Sequence, residues 1–195
     1  MLVHLVRHGE VENPQGLVYG ALPHFGLSSR GQRQAELAAR HLANLPLGAV
    51  WSSPLERALR TAEAIARPHR LPVEVDSDLV EWDHQGWTGL RWDQLSEERP
   101  GQLEAYLRDP TQLDFAGETI AELARRIVNA ITRAAGATRG DLVVVGHQDP
   151  LQAGRLKLTG RPLRQLHQDP PGHASIITLQ AGEPWRELGR WQPKG

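Results

Sequence analysis

The chain has 195 residues, 39% of them apolar and 23% charged, the usage of an ordinary globular domain with one sizeable core. Its 22 basic and 23 acidic side chains give a net charge of -1, so nucleic acid and membrane surfaces are not the partners this balance favours. The absence of cysteine rules out disulfides, thiolate zinc sites and cysteine nucleophiles.

Leu2 to Val6 is a short apolar run interrupted only by His4, and it reads as a buried strand. No apolar run in the chain approaches the ~18 residues of a membrane span. The N-terminus also lacks a signal-type apolar stretch and cleavage site, so the expected compartment is the cytoplasm. Ser29 to Leu45 predicts an amphipathic helix with Ala35, Ala38, Leu42 and Leu45 on one face, and Ser29 with Gln32 has capping-box spacing. Ala49-Val50-Trp51 is a strand candidate. Ser53-Pro54-Leu55-Glu56 then predicts a helix start, with serine as cap and proline at the first helical position. That helix is expected to end before Pro68.

Val73 to Val75 is a weaker strand. The stretch 76–117 lacks long periodicity and gathers Trp82, Trp87, Trp92 and Tyr106, so it is expected to be a lid or insert with short helices. Thr119 to Ala135 has Ile120, Leu123, Ile127, Ile131 and Ala134 at helical spacing. Leu142 to Val145 is the strongest strand signal, apolar on both faces. Asp149-Pro150 looks like a further cap-plus-proline helix start. Ser175 to Gln180 and Trp185 to Trp191 read as a late hairpin or edge strands. Strands alternating with helices predict one α/β domain over 1–195, a three-layer α/β/α sandwich around a mostly parallel sheet. Ligands gather beyond the carboxyl ends of such strands.

Three segments bring reactive residues to that end. Arg7-His8-Gly9-Glu10 follows the first strand, Arg57 lies one turn into the second helix, and His147 follows the strongest strand. Glu81 lies in the irregular middle segment. Two guanidinium groups and the free N–H groups of helix starts suit phosphate oxygens. A neutral histidine beside them can act as nucleophile, a second can donate to the anion, and a carboxylic acid can protonate a leaving oxygen. The parts describe phosphoryl transfer through a phosphohistidine without metal. Blander readings exist for each. Glu81 could be a solvated loop charge, Arg57 a surface arginine like Arg60 and Arg67, and the tryptophans lid packing. A metal pair of His147 with Asp149 is weaker than the reading of Asp149 as a helix cap.

Arg7-His8-Gly9-Glu10 resembles the signature of the histidine phosphatase superfamily, the phosphoglycerate-mutase-like family. Further matches follow in order. Tyr19-Gly20, Leu27-Ser28, Gly31 and Gln34-Ala35 are similar to the stretch after the signature. Ser52 to Ala58 with Thr61-Ala62 resembles the second motif. Leu79-Val80-Glu81 with Gly86-Trp87-Thr88-Gly89 resembles the acid-bearing segment. Gly117-Glu118-Thr119 resembles a short motif before a helix, and Val143 to His147 the segment carrying the second histidine. The resemblance implies a phosphoglycerate-mutase-like fold and a metal-independent phosphomonoesterase that uses no cofactor. In that scheme His8 is the phosphorylated nucleophile. Arg7, Arg57 and His147 clamp the phosphoryl oxygens, and Glu81 is first acid, then base. Gln148 stands where the family has glycine and could donate to the phosphate. Thr88 and Gln85 also depart from the family pattern, and Asn13 is a candidate phosphate contact. The compact chain favours a phosphatase of a small phosphorylated metabolite. A mutase and a non-catalytic phosphate-binding regulator are the alternatives. The expected partners are the substrate and, as a homodimer, a second copy of the chain.

Overall fold

The computed structural model describes residues 1–194. Strand β1 (Leu2–Arg7) leads to helix α1 (Ser29–Leu42), and β2 (Leu47–Ser52) leads to α2 (Glu56–His69) and β3 (Val73–Val75). Two short helices follow, α3 (Leu95–Glu98) and α4 (Gln102–Arg108). Helix α5 (Ile120–Ala137), β4 (Asp141–Gly146), α6 (Gln148–Leu158), β5 (Ile176–Gln180) and β6 (Arg186–Trp191) complete the chain. The six strands form one sheet in the order β3-β2-β4-β1-β5-β6. The pairs β2–β3, β2–β4 and β1–β4 are parallel, whereas β1–β5 and β5–β6 are antiparallel.

Strand side chains alternate between faces, and each face finds its own cover. Val6, Val50, Val143 and Val145 pack under α1 and α2 through Ala38, Leu42, Ala62 and Ile65. Val3, Leu5, Leu142 and Val144 pack on the other face with Leu123, Ile127 and Ile131 of α5. The small alanines on α1 and α2 let those helices lie close together. The expected α/β/α sandwich with a mostly parallel sheet is therefore the observed fold. Among the described residues no helix is long and apolar enough to cross a membrane.

The stretch 76–117 packs into the core through Leu79, Trp82, Trp87, Leu95 and Tyr106. It covers part of the strand ends as a wall. Helix ends differ from expectation in instructive ways. Ser28, not Ser29, caps α1, accepting from the Gly31 N–H at 3.0 Å, and the helix stops at Leu42 while Leu45 packs beyond it. Helix α2 begins only at Glu56 and carries Pro68 inside its last turn, ending on Arg70 in the left-handed region at φ 56°. Helix α5 has the full capping box that the sequence pattern did not single out, with Thr119 and Glu122 satisfying each other's backbone N–H groups.

The loop after β1 is pressed onto the start of α1. A Cβ on Gly9 would lie 2.4 Å from the Gly31 carbonyl oxygen, and one on Gly31 would lie 1.9 Å from that of Glu10. Only glycine permits this approach. The loop is also tied down by Gly9 N–H donating to Thr61 Oγ1 at 3.1 Å and Glu10 N–H to Gln34 Oε1 at 2.9 Å.

Candidate active site

His8 stands one residue past the end of β1, at the point where the sheet changes from parallel to antiparallel neighbours. Its N–H donates to Gly146 of β4 at 3.0 Å, and its carbonyl accepts from Ala174, just before β5, at 3.1 Å. The backbone is thus pinned from both sides. Its ring Nδ1 lies 2.7 Å from the Gly9 carbonyl. A carbonyl only accepts, so Nδ1 carries the proton and the Nε2 lone pair is left for chemistry. Burial, then Arg57 and Arg7, hold the pKa of His8 well below the usual histidine range, so the ring stays neutral.

Two guanidinium groups flank it. Arg57, fully buried in the first turn of α2, donates to the Gly20 carbonyl at 2.5 Å and lies 4.7 Å from the Tyr19 ring centroid. Arg7 Nη1 donates to Gln148 Oε1 at 2.7 Å and to the Pro171 carbonyl at 3.0 Å, while Nη2 reaches His173 Nε2 at 3.1 Å. The Nε–H of each arginine is buried without a partner. His147 is the third such group. Its ring sits 5.2 Å from that of His8, its Nε2 is 2.8 Å from Ser53 Oγ, and its buried Nδ1 has no partner. Burial and the nearby Arg57 hold its pKa well below normal.

Glu81 faces His147 Nδ1 at 4.0 Å. Burial, then the neighbouring Asp149 carboxylate, raises its pKa to about 7. For Asp149 itself, burial pushes the pKa upward, but hydrogen bonds from His84 and Tyr106 outweigh it and leave the group lowered. Tyr106 donates to Asp149 Oδ2 at 2.7 Å. Glu81 is therefore the carboxyl of the pair pushed toward its protonated form and Asp149 the one held ionised, the arrangement that separates an acid from a spectator. The Glu81 segment is fixed from behind. Arg126 pairs with Glu118 and donates to the carbonyls of Asp78, at 2.6 Å, and Val80, at 3.1 Å. The Trp82 indole N–H donates to the Glu118 carbonyl at 2.9 Å.

Beside these groups lies a cavity of about 270 Å³ whose wall includes Arg7, Glu81, Gln148 and His173. His8, Arg57 and His147 stand immediately behind that wall, each at most 1% exposed. A neutral nucleophile, two arginines with spare N–H groups and a protonated carboxyl together suit a phosphomonoester.

The sequence profile of the histidine phosphatase superfamily (branch 1) matches residues 3–192. The chain belongs to that superfamily. It is 33% identical over 182 residues to phosphoserine phosphatase 1 of Hydrogenobacter thermophilus, covering 92% of this chain and 86% of that protein. It is 31% identical over 150 residues to a 2,3-bisphosphoglycerate-dependent phosphoglycerate mutase of Thermoplasma acidophilum, covering 76% and 72%. The vanadate (VO3) complex of a mycobacterial glucosyl-3-phosphoglycerate phosphatase superposes with a TM-score of 0.87, at 28% identity and 99% coverage of both chains. Members of the superfamily are phosphatases or mutases.

Within this superfamily member the fold brings Arg7, His8, Arg57, Glu81, His147 and Gln148 together. Asn13 departs from expectation. Its amide donates to the Leu17 carbonyl at 2.9 Å and its carbonyl accepts from the Leu17 N–H at 3.0 Å. These bonds close a local loop, and Asn13 is not among the residues that line the cavity. Gln148 lines the cavity, its carbonyl accepting from Arg7 and one amide N–H donating to Asp149 at 3.3 Å, which leaves its second N–H for a ligand. Asp149 is no helix cap. His147 occupies that position without a side-chain cap bond, and the carboxylate turns to Tyr106. Leu55, not Ser53, takes the cap position of α2; the Ser53 hydroxyl accepts from the Leu55 N–H at 3.3 Å and meets His147 Nε2 at 2.8 Å.

The residue that sequence reasoning missed is His173. It lines the cavity, its ring lies 5.8 Å from that of His8, and it accepts from Arg7. Burial, then Arg7, pushes its pKa down to about 4, so it remains an acceptor at neutral pH. Removing the acceptor as His173→Phe is expected to lower kcat/KM by about 10- to 100-fold, the cost of one hydrogen bond to a charged group of about 1.5–3 kcal/mol. Steady-state kinetics on purified variant and wild type, with a matched thermal melt, checks this.

Proposed function

We propose that the protein is a phosphomonoesterase that hydrolyses a small phosphorylated metabolite through a phosphohistidine on His8. The observation that carries this reading is the set of three buried, unpartnered nitrogens, Arg7 Nε, Arg57 Nε and His147 Nδ1, grouped around a histidine with its Nε2 lone pair free. An unsatisfied buried polar group costs about 1–3 kcal/mol. Three of them in one place suit a tetrahedral anion that accepts from all.

In the first step the His8 Nε2 lone pair attacks phosphorus and the bond to the ester oxygen breaks. Glu81, protonated, gives its proton to the departing oxygen. Arg7 and Arg57 hold the equatorial oxygens and offset their charge. His147 donates through Nδ1, which the Ser53 hydroxyl permits because it can either donate to Nε2 or accept from it. In the second step the Glu81 carboxylate takes a proton from water, the water oxygen attacks phosphorus, and the N–P bond breaks. Phosphate leaves and His8 and Glu81 return to their starting states.

Every charge in these steps is met by a side chain, so the scheme needs no metal or cofactor. Hydrolysis of p-nitrophenyl phosphate is expected to be unchanged within twofold after dialysis against a chelator. Abolition of turnover by the chelator would replace the histidine route with a metal route. No release of phosphate from any member of a metabolite panel would leave a phosphate-binding regulator as the better reading.

A further inference from the structure

If Arg7 and Arg57 are committed to the transferred phosphoryl group, the rest of the cavity belongs to the leaving group. That remainder has a definite chemistry. Tyr106 and Trp92 bring aromatic rings to it, and Val18 and Trp82 add apolar surface. Trp92 is 49% exposed, and its ring meets the buried Trp87 edge-on at 6.4 Å. The carboxyl groups on the same wall are Glu81, the general acid, and Asp149, held ionised. Among the described residues no lysine and no arginine other than Arg7 lines the cavity. Arg30 lies in an adjoining cleft that shares Arg7 and His173 with this cavity, and it is paired there to Glu10 at 3.4 Å.

We infer that the enzyme selects phosphomonoesters whose leaving group is uncharged and presents a flat apolar portion to Tyr106 and Trp92, and that it disfavours a leaving group carrying a second anion. The inference rests on the phosphomonoesterase reading. A carboxylate or second phosphate would lose water beside Asp149, where the wall offers only the imidazoles of His84 and His173 once Arg7 is committed, and that is a direct cost. An aromatic or apolar leaving group instead gains offset or edge-on contact with the two rings. The volume of about 270 Å³ lies at the small end of ligand pockets, which run upward from about 300 Å³, so a single ring or short chain fits. The same wall bears on the mutase alternative. A mutase working through a bisphosphorylated species must seat a second phosphate where this cavity offers carboxylates.

The test uses two alkyl phosphates of equal chain length, one ending in a phenyl ring and one in a carboxylate, so that leaving-oxygen acidity is matched. Wild type is expected to show a kcat/KM at least tenfold higher for the phenyl ester. Trp92→Arg, at an exposed position that the core does not need, is expected to narrow that gap at least threefold by raising the carboxylate ester. A wild type that hydrolyses the carboxylate ester as well as the phenyl ester overturns the selectivity and leaves the phosphatase reading intact. An unchanged gap in Trp92→Arg removes this wall as its source. Failure on both esters by a folded protein that binds inorganic phosphate would sink the phosphatase reading, and the inference with it.

Discussion

His8→Ala is expected to remove phosphatase turnover by at least about 10⁴-fold, the scale on which an enzyme loses rate when its nucleophile is deleted. The fold should survive. The β1 ladder that carries His8 depends on backbone pairing to β4 and β5, and the side chain contributes one hydrogen bond, to Gly9. The clamp should survive as well, since Arg7 is held by Gln148, Pro171 and His173 and Arg57 by Gly20. Calorimetry with inorganic phosphate on the variant should therefore still detect binding. Retention of most activity would assign the nucleophile elsewhere. A phosphoryl group trapped by rapid acid quench on a residue other than His8 would do the same.

The second large effect concerns Glu81. Glu81→Gln keeps the shape but cannot supply a proton, and general acid catalysis contributes about 10²–10⁴-fold. Alkyl phosphates, whose leaving oxygens are strongly basic, should lose activity on that scale. p-Nitrophenyl phosphate, whose leaving oxygen needs little protonation, should lose less than tenfold if its first step limits the rate. The pH dependence follows from the same group. A carboxyl raised to about 7 is protonated below that pH and ionised above it, so kcat/KM for an alkyl ester should fall as pH rises through about 7. His8 is lowered well below the usual histidine range, so its own protonation should cause no loss between pH 7 and 6. Glu81→Gln should abolish the alkaline fall. An alkaline limb that persists in the variant would assign it to another group.

Much of this site could be read from the chain because the fold is written in residues that follow strands. Arg7, His8 and His147 each come at the carboxyl end of a parallel strand, where α/β sheets collect ligands, and Arg57 opens the helix after another. Periodicity found α5 because its apolar face is continuous, and it found β4 because that strand is buried on both sides. His173 was hidden for the opposite reason. It precedes β5, which runs antiparallel to β1, so the start of the strand reaches the site and a search beyond strand ends passes over it. Asn13 and Asp149 depart from expectation because short polar side chains suit caps and loops as readily as sites. Which partner wins depends on packing partners distant in sequence. Tyr106 meets Asp149 from 43 residues away, and His147 meets Ser53 from 94. The tryptophans divided by exposure alone, with Trp82 and Trp87 buried and Trp92 half-exposed beside the cavity.

The reversal of one strand reaches further than local geometry. Because β5 enters the sheet at the end where β1 leaves it, the segment just before β5 delivers Pro171 and His173 to Arg7. During synthesis every other member of the cluster emerges first, and the phosphate clamp lacks its brace until the segment before β5 follows.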